Sequence, residues 1–387
     1  MVGDSIKIKK SEFETVFLTF YFAISPISKL LEKIGIPRPV TYVVMIVTGL
    51  IFIINRLKFL NRKIDVFIAF MIFGAITLFA VLLHHSDFNS TTEMYALIII
   101  FFPAYFIFRA ANIDKLIRAL HIYAYIGFAI FLPNAFFVKN VGHDYLAFAY
   151  DILLPLCIIV YYARKERHWY DIVLSIVGTI ILAVFGSRGA LIALVLYFIY
   201  LNFEKGYIRK ILILSGITVL GYIIYSNIGS IVSRIQSFGI SSYLLNRIAN
   251  NEAFESVSRI RLFEYITSEL LHNNYFGVGP LGNRALMPVI RYKMPYPHQL
   301  FFELMIDYGL IIGGLFSVLI IIAVLYLIIK SKDKYRYLTG LFCIAAFFPL
   351  MLSGTLYTVG TVPYILALFF NFRDQKMSFN TDTNEGD

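Results

Sequence analysis

The chain has 387 residues, of which 59% are hydrophobic and only 15% charged, and its mean hydropathy is +0.75. That balance excludes a soluble globular domain, whose charged share is about 25%. It points instead to a polytopic helical membrane protein, because a bilayer core about 30 Å thick takes roughly 20 apolar residues per helix and such stretches recur from end to end. The net charge of +10 does not imply nucleic acid as a partner, since most Lys and Arg residues lie in short loops between apolar stretches, where membrane topology accounts for them.

In chain order, Lys7, Lys9 and Lys10 precede a first predicted span at about 13–31, and a second follows at about 39–55. Arg56, Lys58, Arg62 and Lys63 mark an inside loop. Spans at about 64–83 and 94–110 are followed by Lys115 and Arg118, and spans at about 119–138 and 145–163 by Arg164, Lys165 and Arg167. Two short spans, about 170–187 and 189–203, are separated only by Gly186-Ser187-Arg188-Gly189. A ninth span at about 211–229 leads into a long hydrophilic segment, and a tenth starts at His298 and runs to about 329. Spans at about 337–353 and 355–371 complete the set.

The fold class expected is therefore all-α and polytopic, with about 12 transmembrane helices and both termini inside. Residues 1–229 carry spans one to nine, 230–297 form one long outer loop with amphipathic helices, 298–371 carry spans ten to twelve, and 372–387 form a disordered inside tail. A miscounted span would invert the charge bias of every later loop, and most of the 34 Lys and Arg residues do fall on the inside. The first apolar stretch is followed by Ser25, Pro26 and Lys29 rather than by a small-residue cleavage site, so no cleavable signal peptide is expected.

Cys157 and Cys343 lie within apolar stretches and support neither a disulfide framework nor a cysteine metal site. The histidines show no ligand spacing on a common element, and no HExxH, Walker or GxGxxG motif stands at a plausible site, so neither metal nor cofactor is expected. The 37 Phe and 27 Tyr residues can stack on sugars, but aromatic belts and core packing account for most of them.

A few charges are not explained by topology. Arg188 sits at the outer end of a tight helical hairpin, and an arginine at membrane depth costs about 2.5–3.5 kcal/mol on insertion scales. It is either an interfacial arginine, snorkelling or paired with Asp151, or the holder of an anionic ligand, which Gly186 and Gly189 would let approach closely. If 256–271 is helical, Arg259 shares a stripe with Phe263, Ile266 and Leu270, while Arg261 points the other way toward Glu264. Arg259 is then a buried cation, either paired across the fold or binding an anion. Pro297 suits a first helical turn, which would place His298 at a helix N-terminus, where the dipole disfavours imidazolium and leaves a neutral proton acceptor. His298 is either that acceptor or a satisfied interfacial histidine. Glu303 and Asp307, one turn apart, orient such a site or cap loop amides.

Three stretches together resemble the O-antigen polymerase and ligase superfamily of bacterial envelope enzymes, in the family's order. They are Gly186-Ser187-Arg188-Gly189-Ala190; Arg259-Ile260-Arg261-Leu262-Phe263 with Phe276-Gly277-Val278-Gly279-Pro280; and His298-Gln299-Leu300 leading to Glu303, Asp307-Tyr308-Gly309 and Gly313. The resemblance covers about 186–314, and Gln299, Phe263 and Asp307 depart from the family's more usual Asn, Trp and Glu. It implies a GT-C-like fold and a metal-independent, cofactor-free glycosyltransferase of the bacterial inner membrane, facing the periplasm. Its partners would be undecaprenyl diphosphate-linked glycans as donor and acceptor, membrane lipids and a chain-length regulator protein. By the resemblance, Arg188 and Arg259 bind the diphosphate leaving group and His298 is the base on the acceptor hydroxyl, with Arg261, Arg291, Glu303 and Asp307 in support. The chemistry suits these residue types: fixed arginines stabilise charge accumulating on a diphosphate, and a sugar hydroxyl needs a proton acceptor behind it.

Within that resemblance the expected activity is polymerisation of lipid-linked repeat units. The nearest alternative is a ligase passing the glycan to lipid A-core or protein. From another class, a lipid-linked oligosaccharide flippase or other transporter also fits the span count, although no internal self-similarity of the kind transporters show is evident.

Overall fold

The computed structural model describes residues 10–33, 35–36, 40, 43–44, 47–49, 51–52, 103–137, 144–202, 215–216, 219, 223, 226–237, 262–266, 268, 277–279, 281–289, 297, 299–353 and 361–382. The predicted spans over 39–55, 64–83, 94–110 and 211–229 and most of the 230–297 segment lie wholly or partly outside them. Among the described residues the regular structure is entirely helical.

The helices are α1 (Lys10–Lys33), α2 (Ile113–Phe137), α3 (Asp144–Lys165), α4 (Trp169–Phe185), α5 (Arg188–Asn202), α6 (Ile228–Ser237), α7 (Asn283–Val289) and α8 (Leu300–Lys330). They are followed by α9 (Asp333–Thr339), a π-helical segment (Gly340–Ala346), α10 (Phe347–Ser353) and α11 (Thr361–Asp382). Among the described residues three runs are long and apolar enough to cross a bilayer: Ile113–Pro133, Leu300–Lys330 and the continuous Asp333–Leu352, while α4 and α5 are shorter apolar helices.

The surface agrees with a membrane protein. Ile311, Leu315, Val318, Ile322, Leu325 and Ile329 form an exposed aliphatic stripe along α8, and Ile172, Val173, Ile176 and Ile180 form another along α4. Soluble monomers rarely leave such large contiguous apolar patches bare, whereas hydrocarbon is a favourable solvent for them.

Inside, α1 packs on α2, α2 on α3, α3 on α4, and α5 on the π-helical segment. Small or ring-shaped residues set the close crossings. A methyl group at Gly127 would lie 2.9 Å from Pro155 of α3, and one at Gly178 would lie 2.6 Å from Leu156. One aromatic cluster joins elements far apart in sequence: Phe108 meets Phe342 at 4.8 Å edge-on and Tyr364 at 4.3 Å between ring centroids.

Polar ties brace the helix ends. Glu14, buried in α1, accepts from the Asn112 amide at 2.9 Å and pairs with Lys115 at 2.9 Å. Lys29 of α1 pairs with Asp151 of α3, and Arg109 reaches both Asn371 and Asp374 of α11. The helix differs in extent from the sequence reading, which starts a disordered tail at 372: α11 runs to Asp382, and Arg109 holds it at Asn371 and Asp374. Likewise α2 starts at Ile113 rather than near 119, capped by the Asn112 carbonyl oxygen of its side chain, which accepts the Asp114 amide at 3.0 Å.

Candidate functional site

The geometry of the site begins with a break in α8. Gly309 has φ 78° and ψ 172°, a conformation open essentially to glycine alone, and the chain turns sharply there. A methyl group built on Gly313 would sit 2.1 Å from the Leu304 carbonyl oxygen. In a straight helix those residues would be about 13.5 Å apart along the axis. The first arm of α8, 300–308, is thus folded back on the start of the second.

The break changes which amides the nearby carbonyls can serve. In an unbroken helix the Ile306 and Asp307 carbonyls would accept from residues 310 and 311. Here Val278 N–H donates to Ile306 O and Gly279 N–H to Asp307 O, both at 2.9 Å. The loop carrying these donors lies so close that a methyl group on Gly277 (φ 76°) would be 2.4 Å from the Gly309 nitrogen. Irregular backbone at membrane depth is tolerated when protein satisfies it in this way.

Side chains complete the platform. Asp307 is buried and accepts from the Asn283 side-chain amide at 2.7 Å on each oxygen, from the Asn283 backbone at 3.1 Å and from the Leu281 backbone at 3.3 Å. It is the anionic cap of the short helix α7. Arg284 donates to Asn283 Oδ1 at 2.7 Å and, from the same nitrogen, to the buried Glu303 at 3.4 Å. Asp307, Asn283, Arg284 and Glu303 therefore form one connected set. Beneath it Leu262, Ile266, Met287 and Ile306 make a small separate core, so the 262–266 turn, α7 and the first arm of α8 pack as a unit. Phe263 does not share that buried face: it is 58% exposed, which corrects the stripe assigned to it with Ile266.

Gln299 caps α8, its side-chain oxygen accepting the Phe302 amide at 2.7 Å. The helix therefore starts at Leu300, and Pro297 precedes the cap instead of occupying the first turn.

Arg188 is the first residue of α5, half-buried, on the turn after α4. Ser187 serves that turn, its hydroxyl accepting the Ala190 amide at 3.3 Å and its carbonyl the Leu191 amide at 3.1 Å. Gly189 lets two other elements reach the turn: a methyl group there would be 3.0 Å from the Tyr150 hydroxyl of α3 and 3.2 Å from Leu352 of α10. The guanidinium adds its charge to the positive end of α5, which makes the turn a locus for negative charge. Asp151 of α3 pairs with Lys29 of α1. At its other end α10 also holds α8, through an edge-on contact of Phe347 with Phe301 at 6.4 Å. One short helix thus carries both the Arg188 turn and the start of α8.

Of the residues singled out in the sequence, Glu303 and Asp307 are joined in one hydrogen-bonded set and Arg188 stands on the neighbouring turn. Arg259, Arg261, Arg291 and His298 lie outside the described residues. Asn283 and Arg284 were not singled out. The usable signal was Gly-Asn after Gly279-Pro280, a helix start with a cap-forming residue, opposite a carboxylate that needs donors. Among the described residues no three His, Cys, Asp or Glu side chains assemble into a metal-binding group. No protein-family model, curated protein or solved structure matches the chain.

Proposed function

We propose that the chain is an O-antigen-type polymerase: a metal-independent glycosyltransferase of the bacterial inner membrane, with twelve spans, both termini in the cytoplasm and its site facing the periplasm. It transfers a growing glycan from one undecaprenyl diphosphate to the terminal sugar of a new lipid-linked repeat unit. The acceptor hydroxyl attacks the anomeric carbon, its proton passes to His298, and the bond to the diphosphate breaks as Arg188 and Arg259 take up the charge on the departing lipid diphosphate. Gln299, Glu303 and Asp307 act at one remove, by fixing the helix start that follows His298.

The observation that supports this reading is the convergence of motif segments far apart in sequence. Gly277-Val278-Gly279 is hydrogen-bonded to the broken turn at 306–309, and the Gly186–Gly189 turn rests on the same α10 that packs against Phe301. A secondary transporter would not require a polar loop locked onto one helix start, since its rearrangement moves whole repeats against each other.

Complementation tests it. A host strain deleted for the chain would be given wild type, His298→Ala, Arg188→Ala or Arg259→Ala, with membrane abundance matched and the glycan read as a gel ladder. Wild type is expected to restore the ladder and each variant to leave single-repeat material. A full ladder from His298→Ala would remove the base assignment. Loss of all glycan in the deleted strain, rather than single repeats, would point to a ligase.

A further inference from the structure

At the end of the bundle opposite the Arg188 turn lies a cavity of about 940 Å³. The two are separated along α3 by the 14 helical steps from Tyr150 to Arg164, about 21 Å. Among the described residues five cations line the cavity: Arg164 and Lys165 from the end of α3, Arg167 just after it, and Lys334 and Arg336 from α9. Two carboxylates among the described residues, Asp114 and Asp333, also line it, which leaves an excess of positive charge there.

Flanking cations are expected at span ends, and cations at the C-terminus of α3 also suit its dipole. Neither reason brings α9, some 170 residues further along the chain, to the same cavity. Arg336 is held in place there: it donates to the Tyr200 carbonyl at 2.9 Å and its guanidinium lies 4.7 Å from the Tyr200 ring centroid. Lys334 pairs with Asp114 at 3.1 Å. Lys165, over the Tyr161 ring at 5.7 Å, and Arg167 form no ion pair among the described residues. Tyr337, another lining residue, is buried, and its hydroxyl has no hydrogen-bond partner among the described residues.

The cavity wall indicates where a ligand would come from. Ile172 belongs both to this wall and to the exposed aliphatic stripe of α4 that continues through Ile176 and Ile180. Trp169 and Tyr170, both exposed, stand beside it at the start of α4, and Trp and Tyr are the residues enriched at the level of lipid headgroups. A basic recess at headgroup depth opening onto an apolar track offers a phosphate its cations and an acyl chain an aliphatic surface.

We propose that this recess binds the phosphate-bearing headgroup of an anionic membrane lipid, with an acyl chain along Ile172, Ile176 and Ile180. The site is separate from the one argued above and does not depend on the activity assigned to it.

The test uses the delipidated full-length protein in neutral detergent, with lipid binding followed by native mass spectrometry. The probes are phosphatidylglycerol, phosphatidylcholine and inorganic phosphate. A double variant, Lys165→Gln with Arg167→Asn, removes two exposed charges, and Asn tolerates the left-handed backbone of residue 167 (φ 59°). Phosphatidylglycerol should bind in preference to phosphatidylcholine, and the variant should weaken it roughly thirty-fold at an unchanged unfolding temperature, at about 1 kcal/mol per basic residue. Equal binding of the two lipids, or unchanged phosphatidylglycerol affinity in the variant, would overturn the proposal. Displacement of phosphatidylglycerol by millimolar inorganic phosphate would assign the recess to a soluble phosphate ligand and overturn the lipid source. A Lys330→Gln variant, at a basic residue outside the recess, should bind as wild type does; if it lost binding equally, general surface charge would be the cause.

Discussion

Asp307 shows how one buried charge organises a segment. It accepts from two backbone amides and both of its oxygens take the Asn283 carboxamide, so removing it strands several donors in a buried place. Asp307→Ala is expected to cost about 3 kcal/mol, read as a lower unfolding temperature of the purified protein, and a wild-type value would mean that α7 is held by packing alone. Two glycines in the same helix predict opposite signs. Gly309 holds φ 78°, so Gly309→Ala should destabilise by about 1–3 kcal/mol. Gly314, five residues on, has open space where a methyl group would go, and in a helix interior Gly314→Ala should be neutral or stabilise by up to about 1 kcal/mol. Paired melting curves of the two variants decide this, and a Gly309→Ala variant as stable as wild type would place the backbone break somewhere other than Gly309.

At the scale of elements, α4 and α8 divide their surfaces between protein and lipid. Gly178 of α4 is buried against Leu156 and Phe128, while Ile176 and Ile180 are exposed. A charge placed near the middle of that exposed stripe faces hydrocarbon, and Ile176→Lys should cost about 2.5–3.5 kcal/mol of insertion free energy. Tyr170→Lys, at the helix start, should be far milder because a lysine there reaches the headgroups. The check is the membrane-inserted fraction of each variant; equal insertion would mean that this face of α4 is covered by protein. The broken α8 is a different use of a helix. Its second arm, 310–330, is about 31 Å long, enough for the bilayer core, while its first arm is spent on holding the loop at 277–284.

For the whole molecule, the proposed twelve spans would place residues 230–297 and the C-terminus on opposite sides of the membrane. An alkaline phosphatase inserted after Asn250 should be active and one fused after Asp387 inactive, with a fluorescent-protein fusion at Asp387 giving the reverse pattern. Activity at both places would require an even number of spans after the loop. Two ends of the bundle are built from unlike materials. The end with the Arg188 turn and the 277–309 platform has glycines and buried carboxylates that lock backbone to backbone. The other end has arginines and lysines around an open recess.

Helical class, membrane character and the limits of several described helices were legible in the sequence, because hydropathy is a local property and a bilayer of fixed thickness reads it directly. Short signals also carried local chemistry: Gly186-Ser187 at a helix junction, and a carboxylate at 307 able to cap loop amides. What those signals met was decided only by the tertiary structure. That Asp307 caps Asn283, that Gly277 packs on Gly309, and that Arg336 shares a recess with Lys165 are contacts between segments from about 25 to more than 150 residues apart. Neither hydropathy nor helical phase encodes such pairings. They follow from which carbonyls a broken helix leaves for other donors and from where packed helices bring their charged ends together.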